Sequence, residues 1–237
     1  MGTFRYVLVD AFTDRSLEGN ALAIFTDARE IPEEMLQRLA RETNLSETVF
    51  VYPPGWDVAT RPSHVSGRAA LDHQGGHVKI RIFTPTTEVP FAGHPTLGTA
   101  FVLGGPLQLE EIRLETGAGV IPVRLEREGA RITFGWMTQP VPTVADYQAA
   151  DELLAALGVK GSTLPIEVYD NGLQHVYVTL GREDEVAALE PNLHALVHLP
   201  DVLGINCFAG EGTRWKTRMF APSGGVPEDP ATGSAAG

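Results

Sequence analysis

The sequence predicts an α/β protein built from two similar lobes, and three observations carry that prediction. A strand, a proline turn, a loop of small residues and a helix start occur twice, which marks an internal duplication. The first copy runs from Arg81-Ile82-Phe83-Thr84-Pro85 through Val89-Pro90 to Pro95-Thr96, and the second from Arg218-Met219-Phe220-Ala221-Pro222 through Val226-Pro227 to Ala236. Each half also opens on a pair of short apolar runs, the pattern of neighbouring strands. Finally, 237 residues with 43% apolar and 20% charged side chains suit two compact globular lobes of roughly a hundred residues each.

Tyr6–Asp10 and Ala21–Phe25 are apolar runs joined by a turn-rich stretch ending in Gly19-Asn20, which predicts two neighbouring strands. Met35, Leu36, Leu39 and Ala40 then recur at helical spacing behind Pro32, a residue tolerated in a first turn, and the pattern ends at Thr43-Asn44. Leu45-Ser46-Glu47-Thr48 leads into Val49-Phe50-Val51, so Glu47 falls at a helix-to-strand junction, where functional side chains are often displayed. Residues 53–77 are rich in Gly, Pro and polar side chains and read as an irregular excursion. Val78–Phe83 is the next strand, and Pro90–Leu103 a loop opening into an apolar helix with small residues for close packing. Strand-like runs follow at 111–115, 120–125 and 131–135.

The second half offers strands at 166–170, 172–180 and 204–209, a helical stretch at 191–198 and the second copy of the motif. The expected division is an N-terminal lobe over 1–105, with strands in 106–135 able to cross between lobes, and a C-terminal lobe over 136–237. Gly237 falls within the first turns expected of the second helix. The remainder of that lobe is therefore expected from further chain or from a separate polypeptide.

A net charge of −12, with acidic residues scattered through the chain, argues against nucleic acid or an anionic membrane as partner. The N-terminus has neither a basic n-region nor a long apolar stretch, so the cytoplasm is the default expectation. The single cysteine, Cys207, excludes an intramolecular disulfide, a multi-cysteine metal cluster and a paired-thiol mechanism. It sits in an apolar run and reads as a buried, inert thiol.

Each repeated loop is expected to deliver a helix N-terminus, whose unpaired N–H groups and dipole favour an anion such as a substrate carboxylate. No Gly-Lys-Ser/Thr follows either loop, no G-x-G-x-x-G follows the first strand and no G-x-S-x-G occurs, so nucleotide binding and serine hydrolysis lack motif support. His73 and His77 lie in the glycine-rich excursion, away from any evident third ligand, so no metal site is expected. Glu47, His94 and Asp229 remain as acid/base candidates at element ends. His94 and Asp229 could equally cap helices, and Glu47 could be a surface glutamate.

Val9-Asp10-Ala11-Phe12-Thr13-Asp14, Gly19-Asn20, Asn44-Leu45-Ser46-Glu47-Thr48, Phe83-Thr84-Pro85, Glu88 with Pro90–Thr96, and Glu228–Ser234 together resemble the phenazine-biosynthesis PhzF-like isomerase family over almost the whole chain. The resemblance implies the diaminopimelate epimerase-like fold: two pseudo-symmetric lobes, each a mixed sheet wrapped round a central helix, with the active site between them. It also implies a cofactor-independent isomerase, commonly a homodimer, acting on dihydro-hydroxyanthranilate or a similar small cyclic or unsaturated acid. Carried over by motif, Glu47 moves a proton from one ring carbon to another, and His94 and Asp229 hold polar groups and help handle protons. Gly93 and Ser234 bind the carboxylate, with Thr96, Thr232 and Gly233 beside them in the same loops. A one-base amino-acid racemase or epimerase and a non-catalytic binding module are the alternatives.

Overall fold

The computed structural model describes residues 3–56, 75–200 and 202–236. The chain divides into two compact units, Met1–Pro140 and Val141–Gly237.

In the first unit, β1 (Val7–Ala11), β2 (Asn20–Phe25), α1 (Glu33–Thr43), β3 (Glu47–Tyr52), β4 (Val78–Phe83), β5 (Glu88–Val89), α2 (Gly93–Leu107), β6 (Glu111–Thr116), β7 (Gly119–Glu128) and β8 (Arg131–Met137) follow in order. The strands form one sheet in the order β1-β2-β3-β4-β6-β7-β8, with β5 on β4. β2 and β3 are parallel, which a crossover helix such as α1 allows. Alternation along the strands gives the sheet two apolar faces. Phe25, Phe50, Tyr52 and Phe83 meet Leu36 and Ala40 of α1 on one face, while the other curls round α2, which touches β1, β2, β3, β6, β7 and β8. Fully buried chains of the size of Phe50, Leu22 and Ile82 each contribute about 1.5–3 kcal/mol. The small residues of α2 permit this fit: a Cβ on Gly98 would stand 2.8 Å from Leu22 Cδ2.

The second unit contains β9 (Thr143–Asp146), α3 (Ala150–Leu157), β10 (Glu167–Asp170), β11 (Gln174–Thr179), α4 (Glu183–Ala187), α5 (Leu193–Val197), β12 (Gly204–Glu211), β13 (Arg214–Ala221) and β14 (Val226–Asp229). Its sheet runs β14-β13-β12-β11-β10-β9. The pairings β10/β11 antiparallel, β11/β12 parallel, β12/β13 antiparallel and β13/β14 antiparallel repeat those of β1 through β5. One face packs Val176, Val178, Ile205, Cys207 and Phe220 against Leu153, Leu157, Val186 and Leu196 of the three helices.

The duplicated motif extends to side chains. Arg81 pairs with Glu88 and lies over Phe83, and Arg218 pairs with Glu228 and lies over Phe220. Two differences from the sequence expectations stand out. Helix is confined to 193–197 within the expected 191–198, whereas α3 and α4 had no sequence-based expectation. The expected helix start after Thr232 is a single 3₁₀ turn over Gly233–Ala235, so among the described residues the second sheet has no counterpart of α2. Of the 53–77 excursion, residues 57–74, His73 included, lie outside the described residues.

Candidate active site

Each unit gathers buried polar groups at its sheet. In the first, Asn44 ends α1 in the left-handed conformation, φ 51° and ψ 37°, its N–H donating to the Ala40 carbonyl. Asparagine tolerates this conformation better than most residues. Thr43 and Thr48 join through their hydroxyls at 2.7 Å across the same turn. The chain therefore enters β3 with Glu47 as its first residue and only 12% of that side chain exposed. His94, in the first turn of α2 and 2% exposed, has its Nδ1 3.5 Å from Glu47 Oε2 and 3.2 Å from Asn20 Nδ2. Buried Asn20, the first residue of β2, thus completes a cluster with two of the predicted residues.

Gly93 opens α2 behind Ala92, which offers no side-chain cap. Pro95 has no N–H, and the Thr96 N–H and hydroxyl both donate to the Ala92 carbonyl, at 3.3 and 2.8 Å. The positive end of the helix dipole therefore comes to rest at the Gly93 and His94 amides. In the second repeated loop, Gly233–Ala235 form a 3₁₀ turn that begins after Thr232.

The second unit holds its loop by side chains instead. Asp229 ends β14 with 5% exposure and accepts a hydrogen bond from the Thr232 hydroxyl. Ser234, 3% exposed, has its Oγ 3.0 Å from His175 Nε2, and Asn206 Nδ2 lies 3.1 Å from His175 Nδ1. Asn171 donates to the Ser234 carbonyl at 2.9 Å, and Tyr177 to that of Ala235 at 2.9 Å. Burial drives the His175 pKa down to about 4, against the pull of Asp229 and Asp170. Beside the loop lies a recess of about 260 Å³ whose walls include Tyr177, Asn206, Phe208, Trp215, Asp229 and Thr232. A larger cavity of about 850 Å³ in the first unit, between β1, α2 and β8, contains none of the predicted site residues.

Strand register shows how the two units differ chemically. If Phe83 is matched with Phe220, the pairs Thr48/Phe83 and Ile205/Phe220 make Thr48 equivalent to Ile205, and hence Glu47 to Gly204. The parallel pairs Leu22/Glu47 and His175/Gly204 agree, making Leu22 equivalent to His175. Where the first unit carries a carboxylate, the second has no side chain, and an added Cβ there would meet His175 Nδ1 at 2.4 Å.

Asn20, His175 and Asn206 had no place among the predicted site residues. Each is a single polar residue in or at the end of an apolar strand run, and its burial became visible only with the sheet assembled. His77 accepts from the Arg113 N–H through Nδ1 at 2.9 Å. Cys207 is fully buried, and burial pushes its thiol up to about 12.

Residues 9–237 match the family model described as phenazine biosynthesis-like protein. A trans-2,3-dihydro-3-hydroxyanthranilate isomerase of Pseudomonas aeruginosa is 48% identical over 233 residues, covering 98% of this chain and 77% of that protein. A phenazine biosynthesis protein of the PhzF family from Bacillus anthracis superposes with a TM-score of 0.76 at 27% identity, covering 100% of this chain and 78% of the other. A protein described as a probable proline racemase from Agrobacterium radiobacter, 11% identical with a TM-score of 0.64 over 98% of this chain and 74% of the other, has a related fold.

Proposed function

The chain belongs to the phenazine biosynthesis-like family and is an isomerase, and on that premise we propose that it isomerises trans-2,3-dihydro-3-hydroxyanthranilate or a close relative by a proton shift carried on Glu47. Glu47 takes a proton from a ring carbon as its carboxylate, leaving a conjugated anion, and as the carboxylic acid returns it to another carbon. No proton is gained or lost overall. A positioned acid/base group of this kind contributes about 10²–10⁴-fold. His94, beside the Glu47 carboxylate, helps handle protons, and the Gly93 amide at the α2 N-terminus holds the substrate carboxylate.

Asp229 and Ser234, on the loop shaped by Thr232 and Gly233, hold the substrate's other polar groups. Thr96 keeps the α2 loop in shape. Cofactor-free chemistry in a cytoplasmic homodimer belongs to the same proposal.

The single observation that carries this reading is the equivalence of Glu47 with Gly204. The position equivalent to Glu47 in the second unit carries no side chain, which suits a single base at that position better than two bases related by the duplication. Incubation with trans-2,3-dihydro-3-hydroxyanthranilate, alongside a panel of L-amino acids, tests the proposal. Conversion of the cyclic acid with no α-inversion is expected. Inversion of an amino acid without that conversion would transfer the site to a one-base racemase, and saturable binding of the cyclic acid without turnover would make the chain a binding module.

A further inference from the structure

We propose that His175 is a positioning residue that fixes the direction of the Ser234 hydroxyl, as an imidazole protonated on Nε2 that Asn206 holds in that tautomer. The inference rests on the reading of Ser234 as a substrate contact. It begins from the Asn206 amide: Nδ2, 3.1 Å from His175 Nδ1, can only donate. Nδ1 must then be an acceptor, which places the ring proton on Nε2. Nε2, 3.0 Å from Ser234 Oγ, donates to it. With its lone pair engaged by His175, Ser234 keeps its own O–H to donate to a bound carboxylate. Without the relay, the hydroxyl could turn its proton into the imidazole and present a lone pair to the anion.

The surroundings favour this arrangement. His175, Asn206 and Ser234 are all buried, at 1%, 4% and 3% exposure, where a hydrogen-bond chain has little competition from water. Asn171 fastens the Ser234 backbone, so that the hydroxyl is the remaining freedom. Gly204 makes room for the ring. The Asp229 and Asp170 carboxylates and the Tyr177 ring also face the imidazole; burial outweighs the two carboxylates and keeps it neutral at pH 7.

Long-range ¹H–¹⁵N NMR of the histidine-labelled chain at pH 7 reads the tautomer directly and needs no substrate. A protonated Nε2 with a bare Nδ1 is expected at His175, and a proton on Nδ1 or an imidazolium would overturn the proposal. The isosteric Asn206→Asp reverses the chain, since a carboxylate accepts from Nδ1–H and leaves Nε2 to take the Ser234 proton. The KM for trans-2,3-dihydro-3-hydroxyanthranilate should then rise about tenfold or more, with kcat less affected. An unchanged KM would contradict the relay. His175→Phe should raise KM similarly in wild type but add nothing to Ser234→Ala, whereas additive losses would assign His175 a merely structural role. A wild type inactive on this acid would count against the substrate proposed above, while the tautomer result would still decide the arrangement of His175.

Discussion

Glu47 is constrained from both sides of its peptide: the turn behind it is pinned by Thr43 and Thr48, and its carboxylate lies beside the His94 ring. This short reach is what a proton carrier needs, because the loss from misplacing a base by an ångström is large. Cys207 offers the contrasting case at the same scale. Fully buried and with its thiol pushed up to about 12, it should resist alkylation in the folded chain, because the thiolate is the reactive form. Treatment with N-ethylmaleimide followed by intact-mass spectrometry should show the native chain unlabelled and the urea-unfolded chain singly labelled. Labelling of the native chain with loss of turnover would bring a thiol back into the mechanism. Glu47, His94 and Asp229 were legible in the sequence because each stands at an element end beside a turn. Asn20, His175 and Asn206 were not, because alternation along a strand does not say which face will meet a neighbouring polar group.

The α1–β3 turn is the element on which the first half-site depends most. Asn44 holds a left-handed conformation there that costs an ordinary L-residue roughly 1–2 kcal/mol and glycine much less. Asn44→Val should lower the unfolding free energy by about that amount and reduce turnover through displacement of Glu47; Asn44→Gly should keep both near wild type. Urea titration together with the isomerase assay checks the pair, and equal behaviour of the two variants would remove the turn from the account. The sequence announced this helix end through its periodicity and its polar Thr43-Asn44. It also announced the Arg81 and Arg218 strands, whose repeated ion pairs and cation–π contacts followed from the duplicated residues. The short α3 and α4 escaped because they have few turns in which to display a period, and their places are set by the sheet they cover.

For the whole molecule, the two units share the topology of five strands and give it different chemistry: Glu47 beside His94 on the first sheet, and Gly204 beside the His175–Asn206–Ser234 chain on the second. Burial of His175 also couples stability to pH. Its folded pKa of about 4 lies below the ordinary histidine value of 6.5, so the fold favours the neutral ring. That contribution is complete above about pH 6.5 and is lost as the pH falls toward 4. Urea midpoints of the wild type should therefore drop across that window more steeply than those of His175→Phe, and parallel slopes would contradict the assignment. The duplication itself was readable from the Arg81 and Arg218 motifs. The equivalence of Glu47 with Gly204 was not, because it depends on strand registers that no sequence spacing specifies.

The most direct test of a proton carried on Glu47 is ¹H NMR of trans-2,3-dihydro-3-hydroxyanthranilate in D₂O with wild type and Glu47→Gln in parallel. Wild type should isomerise the acid with deuterium entering at ring carbon, and Glu47→Gln should do neither, with a loss of at least about a hundredfold. Isomerisation or deuterium uptake by Glu47→Gln at a rate near that of wild type would contradict the account.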